Sequence, residues 1–277
     1  MRNHFFISYA GNKRNEVNRI YDEIDFKGVE NIVEPYCGSC AVSYNIWTLQ
    51  KDKNFKYVLN DADNNLINIM KKVINDDYKK LEDEVNELRL HILKLSSEKG
   101  YDVAKEYYKD ISNNKNNTDA GYLLVNRYNK LRVGIFPTPD TLKTFQKEFK
   151  FSNYPIFEFL RTANIEIHNT DGDSIINLYN KSDSFIFLDP PYMASCNNFY
   201  KRGADSDLKM CYYPLYKRGL KNYSAKIILC HELNWMFEVL FEEYIDKNKQ
   251  YDKRYENNLG GNYSNKPATK HVCIKNY

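Results

Sequence analysis

No stretch of this chain approaches the ~20 consecutive apolar residues that a bilayer-crossing helix needs, so no membrane span is expected. Charge of one sign is also scarce. Lys and Arg number 40 against 37 Asp and Glu, a net of +3, so overall charge argues only weakly for nucleic-acid binding. Such affinity has to come from local basic runs: Lys217-Arg218 with Lys221 and Lys226, and Lys247, Lys249, Lys253 and Arg254. Runs of this kind serve equally well as a solvated face. No secretory signal precedes the six Cys, and only Phe5-Phe6-Ile7 is apolar near the start. Free thiols in a reducing, intracellular setting are therefore expected. Cys37 and Cys40 form a Cys-x-x-Cys without a second pair to complete a zinc site, and they read as small loop and helix residues. The Gly-x-Gly-x-x-Gly fingerprint is missing, which disfavours a nicotinamide enzyme. No internal repeat is visible. Core-forming material is plentiful: aromatics make up 15% of the chain, which argues against global disorder.

The patterning is that of an α/β protein with an interruption. A helix is expected through Ile20 and Ile24. Ile32 to Pro35 reads as a strand end, Ala41 to Leu49 as a helix, and Tyr57-Val58-Leu59 as a second strand. Strand, loop, helix and strand in that order predict a parallel sheet. Leu66, Ile69, Met70 and Val73 then repeat at helical spacing, as do Leu81, Val85, Leu88, Ile92 and Leu95. A packed helical insert is the expected home of these stripes. Asn113 to Thr118 is loop-like, and a helix resumes at Leu123-Leu124-Val125. The sheet returns at Ile165 to Ile167. The continuous run Phe185-Ile186-Phe187-Leu188 suits a central strand covered on both faces. Lys226 to Cys230 is another strand, and His271 to Ile274 a last one.

Chemistry concentrates at strand ends. Asp189-Pro190-Pro191-Tyr192 follows the Phe185–Leu188 run at the carboxyl end of its strand, where open parallel sheets bind ligands. An amino group on a nucleobase is a poor nucleophile, because its lone pair is delocalised into the ring. A carboxylate and a Pro carbonyl accept its hydrogens and favour the positive nitrogen that forms as it attacks a methyl group. Pro190 and Pro191 stiffen the carbonyl, and Tyr192 offers a face for a flat base. The bland alternative is a Pro-rich turn with a capping Asp. Glu34-Pro35-Tyr36-Cys37-Gly38-Ser39 follows the first strand, and Gly38 there permits close backbone approach to a ligand. Asp61 ends the next strand, where an acid accepts ribose hydroxyls. His231 either faces this site or is an ordinary polar residue at a strand end.

Taken in order, these residues resemble the Dam-type adenine-N6 DNA methyltransferases. Tyr9-Ala10-Gly11-Asn12-Lys13 is similar to that family's N-terminal cofactor motif, Glu34 to Ser39 to its cofactor loop, and Asn60-Asp61 to its ribose-contacting acid. Asp189 to Tyr192 resembles its catalytic motif, Asn258 to Gly261 its C-terminal motif, and Asn126-Arg127 with Lys130 and Arg132 part of its DNA-contacting insert. The resemblance implies a Rossmann-like S-adenosylmethionine-dependent methyltransferase sheet in residues 1–64 and 165–277, with a helical target-recognition insert in 65–164. It implies S-adenosyl-L-methionine held by Tyr9, Ala10, Gly11, Lys13, Glu34, Pro35, Tyr36, Gly38, Ser39, Asp61 and Asp189. It points to Asp171 at the cofactor's adenine, with Asp173 the competing choice or the cap of the following helix. The implied substrate is an adenine extruded from double-stranded DNA, methylated inside the cell without a metal.

Two departures stand out. The family loop often has a second Gly where this chain has Cys40, and the insert match is loose, so a target such as GATC does not carry over. Related tetrapeptides serve cytosine-N4, RNA and protein-glutamine methylation, and a silent DNA-binding relative would keep the fold without turnover. A lone modification enzyme, a restriction partner and a phage or viral enzyme look alike at this level.

Overall fold

In a computed structural model, residues 5–7, 13, 15–128, 141–192, 214–246, 249–253 and 269–277 are described. Two compact units divide the chain. One comprises Met1–Asn12 and Asp63–Ala163, the other Lys13–Ala62 and Asn164–Tyr277.

The second unit carries the sheet. Its strands are β1 (Asn31–Glu34), β2 (Lys56–Asn60), β3 (Asn164–His168), β4 (Ser184–Leu188), β5 (Lys226–Glu232), β6 (Tyr251–Lys253) and β7 (Thr269–Lys275). They lie in the order β3-β2-β1-β4-β5-β7-β6. The first five are mutually parallel; β7 runs antiparallel to β5, and β6 antiparallel to β7. The strand–helix alternation predicted the parallel part, and the seven-stranded whole is consistent with the Rossmann-like methyltransferase sheet that the family resemblance implies. β4 is buried along its whole length, as its unbroken apolar run requires. β3, at the edge, is only half-buried. On one face Val33, Val58, Ile186, Leu188, Ile227 and Leu229 pack with Ile175, Ile176, Phe237 and Phe241.

Helices join the strands, two of them in the regions the sequence pattern marks; the one after β5 is unmarked there, and the first ends at Asp22, short of Ile24. α1 (Val17–Asp22) precedes the sheet, α2 (Ala41–Leu49) links β1 to β2, and Trp235–Phe241 follows β5. The helix before β4, Gly172–Leu178, starts at Asp171, whose carboxylate accepts from the Ser174 amide at 3.1 Å. The capping role thus falls to Asp171 rather than to Asp173.

The other unit is helical, with α3 (Asn64–Ile74), α4 (Lys79–Glu98), α5 (Tyr101–Asn113), α6 (Asp119–Tyr128) and α7 (Ile156–Thr162). The sequence pattern leaves α5 unassigned, and the loop-like stretch after it contains a 3₁₀ turn, Lys115–Asn117. Phe5, Phe6 and Ile7 are buried and belong to this unit, with Phe6 edge-on to Phe151. The apolar stripe of α4 is core, as expected. A polar stripe runs beside it: Glu82 accepts from the Phe151 amide at 2.7 Å, Asn86 bonds both the amide and the carbonyl of Phe149, and Arg89 donates to the Phe145 carbonyl. That stripe satisfies a chain segment with no sheet to join.

The expectation of free thiols is corrected at one place. Antiparallel pairing sets Cys230 of β5 opposite Cys273 of β7, and the two are disulfide-bonded. Cys37 and Cys40 are buried.

Ile186 is fully buried in the central strand, whereas Leu178 is 53% exposed. Ile186→Ala is predicted to lower unfolding free energy by about 2–5 kcal/mol, and Leu178→Ala to change it by no more than about 0.5 kcal/mol. Urea unfolding of both variants checks the contrast.

Candidate active site

The strand order reverses between β1 and β4, so the loops leaving these neighbours diverge and open a crevice at their carboxyl ends. Glu34 to Ser39 leaves β1 there, and Asp189 to Tyr192 leaves β4. A single side chain ties the neighbouring loops together. Asn60, at the end of β2, donates to the Pro35 carbonyl at 2.8 Å and the Thr170 carbonyl at 3.1 Å, and accepts from the Thr170 amide at 2.9 Å. Its own carbonyl receives the Cys37 amide at 2.8 Å. The exits of β1, β2 and β3 are thereby fixed by one buried amide. Asp61 completes the rim: Oδ2 accepts from the Gly38 amide at 2.9 Å, and its carbonyl receives the Asn169 side chain at 2.8 Å.

The β1 loop turns sharply. Gly38 has φ of 48° and Cys40 has φ of 52°, both left-handed. Cys40 therefore keeps the backbone turn that a second Gly would make freely, and it is the N-cap residue of α2. Glu34 is buried, and its Oε1 accepts from the Ser43 amide at 2.6 Å in the first turn of that helix. Burial, with the nearby Asp189 charge adding to it, raises the Glu34 carboxyl to about 7 against the pull of the Ser43 hydrogen bonds. Tyr36 lies against the start of the helix before β4. A Cβ on Gly172 would come within 2.5 Å of the Tyr36 ring, so the absent side chain makes room for it.

Lys13 Nζ forms an ion pair with Asp189 Oδ2. Lys13 is buried, and the Asp189 side chain is 18% exposed. Burial pushes the Asp189 carboxyl above its ordinary value, while the ammonium groups of Lys13 and Lys253 work against the rise. The Tyr192 ring lies with its centroid 5.4 Å from Lys13 Nζ, 4.8 Å from the ring of His231 and 5.5 Å from that of His271. His231 thus faces the site, and it stacks on Phe237 at 4.4 Å. Burial lowers the His231 imidazole to about 4 and the His271 imidazole to about 3, so both are neutral near pH 7.

Lys13, Glu34, Tyr36, Gly38, Ser39, Asp61, Asp189 and Tyr192 all lie in the sheet-bearing unit at or beside this crevice. Asn126 and Arg127 are on α6 of the helical unit, where Asn126 donates to the Tyr122 carbonyl and Arg127 lies over the Tyr154 ring at 5.3 Å. Tyr9, Ala10, Gly11, Lys130 and Arg132 lie outside the described residues, as do Asn258 to Gly261. Four described members of the basic runs pair internally: Lys221 with Glu243, Lys226 with Asp25, Lys249 with Glu23 and Lys253 with Glu16; Lys247 and Arg254 lie outside the described residues. Sequence reasoning missed His271, Tyr251, Lys253 and Glu16, because their approach depends on β7 entering the sheet between β5 and β6. Among the described residues no cluster of His, Cys, Asp and Glu is placed to hold a metal ion, and no helix is long and apolar enough to cross a membrane.

Comparison with known proteins agrees with this geometry. A family model described as D12 class N6 adenine-specific DNA methyltransferase matches residues 9–209. The type II methyltransferase M.MjaIII of Methanocaldococcus jannaschii is 27% identical over 98% of both chains. The type II methyltransferase M.CviBI of Paramecium bursaria Chlorella virus NC1A is 23% identical, again over 98% of both.

The left-handed turn at Cys40 gives a direct test. A non-glycine residue there carries about 1–2 kcal/mol of backbone strain. Cys40→Gly is expected to leave stability within about 1 kcal/mol of the parent, the relieved strain offsetting the lost buried thiol. Cys40→Val, β-branched in the same turn, is expected to lose more than about 2 kcal/mol in denaturant unfolding.

Proposed function

The chain belongs to the D12 class N6 adenine-specific DNA methyltransferase family, and on that basis we propose that it moves a methyl group from S-adenosyl-L-methionine to the N6 amino group of an adenine extruded from duplex DNA at a specific sequence. One observation carries the reading. Asp189 stands at the carboxyl end of β4, at the strand-order reversal, with Oδ2 paired to Lys13.

The donor set at the crevice fits the cofactor. Asp61, already holding the Gly38 amide, is suited to ribose hydroxyls, and Tyr36 with Asp171 to the adenine ring. Glu34, Pro35 and Ser39 shape the loop between them, and Lys13 with Asp189 bounds the reacting end. When bound, S-adenosylmethionine supplies an electrophilic methyl group on a positively charged sulfur. The chain's own task is orientation. The Asp189 carboxylate and the Pro190 carbonyl accept the N6 hydrogens and aim the nitrogen lone pair. Tyr192 stacks on the extruded base, recovering part of the few kcal/mol that extrusion costs. His231 and His271 back that ring as neutral imidazoles, so they add no positive charge beside a nitrogen that is itself becoming positive. Pairing with Asp189 offsets the charge of Lys13 in the same way.

Target recognition is assigned to the helical segment 65–164, with Asn126, Arg127, Lys130 and Arg132 at DNA-contacting positions, and the chemistry to 1–64 and 165–277. The type II naming of both relatives supports a role in a restriction–modification pair, inside a cell or a virus-infected host.

Incubation with AT-rich duplex DNA and methyl-labelled S-adenosylmethionine, followed by digestion to nucleosides, should yield labelled N6-methyladenine. Asp189→Ala should lower kcat by about 10³-fold. Labelled N4-methylcytosine, or full activity in the variant, contradicts the reading. Because burial raises the Asp189 carboxyl, and its ionised form is the stronger acceptor and the one that balances a developing positive nitrogen, kcat should fall toward acid through a pH above the ordinary aspartate value of about 3.9. An acid limb at or below that value would show that Asp189 is not the titrating acceptor.

A further inference from the structure

The Lys13–Asp189 pair is one half of a larger buried charge arrangement. Glu16 lies one turn beyond Lys13, its amide donating to the Lys13 carbonyl at 2.8 Å. Its carboxylate is buried. Oε2 receives Lys253 Nζ at 2.6 Å, and Oε1 receives the Tyr251 hydroxyl. Tyr251 and Lys253 are two residues apart on β6, so both project from one face of that strand. The Glu16 and Lys253 side chains are only 7% and 15% exposed. Charges of alternating sign, Asp189, Lys13, Glu16 and Lys253, therefore stand within Coulomb reach of one another. Of the two readings open for the run that contains Lys253, a DNA-binding stretch or a solvated face, the second does not describe this residue, whose side chain is 15% exposed.

Such an arrangement constrains each member. Two ammonium groups held near each other and away from water need carboxylates beside them, here Glu16 and Asp189. If Lys253 were absent, the buried Glu16 carboxylate would lack its partner and would compete with Asp189 for Lys13. We propose that Glu16, Lys253 and Tyr251 are positioning residues for methyl transfer: anchored from β6, Glu16 holds Lys13 on Oδ2 of Asp189, so that Oδ1 is presented to the amino group. This rests on the reading of Asp189 as the acceptor. The three residues do not touch substrate; they act through Lys13.

Among the described residues, the charged and titratable groups around Asp189 and Lys13 include Glu16 from the N-terminal turn, Glu34 from β1, Tyr192 from the loop after β4, His231 from β5, Tyr251 and Lys253 from β6, and His271 from β7. Among these, only Glu16 and Lys253 are altered in charge by the test.

Full-length Glu16→Gln, Lys253→Met, Lys253→Arg, Tyr251→Phe and the double variant Glu16→Gln/Lys253→Met are assayed on AT-rich duplex DNA beside Asp189→Ala. Glu16→Gln and Lys253→Met should each lower kcat by about 10–100-fold, with KM for DNA and methyl donor changed less than about threefold. The double variant, again balanced in charge, should recover at least half of the logarithmic loss. Lys253→Arg, which keeps the charge, should stay within about threefold of the parent, and Tyr251→Phe should lose about two- to fivefold. The acid limb of kcat should move up in pH for Lys253→Met, which removes a nearby positive charge, and down for Glu16→Gln, which removes a negative one. If single and double variants lose activity equally with no movement of the limb, or if kcat is unchanged, the positioning role is overturned. If the charge-changing variants do not fold, Lys253→Arg and Tyr251→Phe decide: parent-like kcat in Tyr251→Phe together with a large loss in Lys253→Arg contradicts the proposal. Full activity in Asp189→Ala would instead overturn the reading of the acceptor, a separate outcome.

Discussion

Between β1 and β4 the sheet stops growing toward one edge and begins growing toward the other. Parallel neighbours that belong to different halves of the winding send their following loops to opposite faces, and ligands of open α/β sheets bind outside their carboxyl ends. The site is arranged around those ends. The Glu34–Ser39 loop bounds it on one side and Asp189–Tyr192 on the other. Asn60 keeps the first loop from drifting by joining it to the exits of β2 and β3. Lys13 enters beside it and places a charge on Asp189.

A buried carboxylate cannot be left alone in such a place. Desolvation drives it toward its neutral form, a weaker hydrogen-bond acceptor that carries no charge to balance a developing positive nitrogen. Here the compensating charges come from segments far apart in the chain, the turn at Lys13 and Glu16 and the strand β6. β7 lies between β5 and β6 and holds His271 under Tyr192. The Cys230–Cys273 disulfide covalently joins β5 to β7 one residue from His231 and two from His271. His271 beside the Tyr192 ring and Lys253 beside Glu16 thus both come from the same antiparallel edge of the sheet.

Much of this was legible in the sequence. Phe185–Leu188 announced a central strand by its unbroken apolar run, and Asp189 to Tyr192 follows that strand at its carboxyl end as the pattern placed it. The stripes at Leu66 to Val73 and Leu81 to Leu95 predicted helices that are present as α3 and α4. What stayed hidden depends on register and on long-range packing. Cys230 and Cys273 became partners only when β7 ran antiparallel to β5 in one particular register. Glu16 drew no reading and Lys253 only that of a basic run, because local pattern carries no information about a partner more than two hundred residues away. Glu82, Asn86 and Arg89 look like the wet side of α4, yet Glu82 and Arg89 are buried and all three bond the segment between Phe145 and Phe151. Cys40 looked like a defect in a glycine-bearing loop, but its backbone makes the same left-handed turn.

Membership of an adenine-specific family and the acceptor geometry at Asp189 meet in one claim, that this crevice methylates adenine in DNA at a defined sequence. Single-molecule sequencing of genomic DNA from cells expressing the chain tests it without assuming a target. N6-methyladenine at one recurrent short sequence, absent from cells that carry the Asp189→Ala form, is the predicted result. Modified cytosine, methyladenine scattered without a common sequence, or no modified base from a well-folded, expressed chain would contradict it.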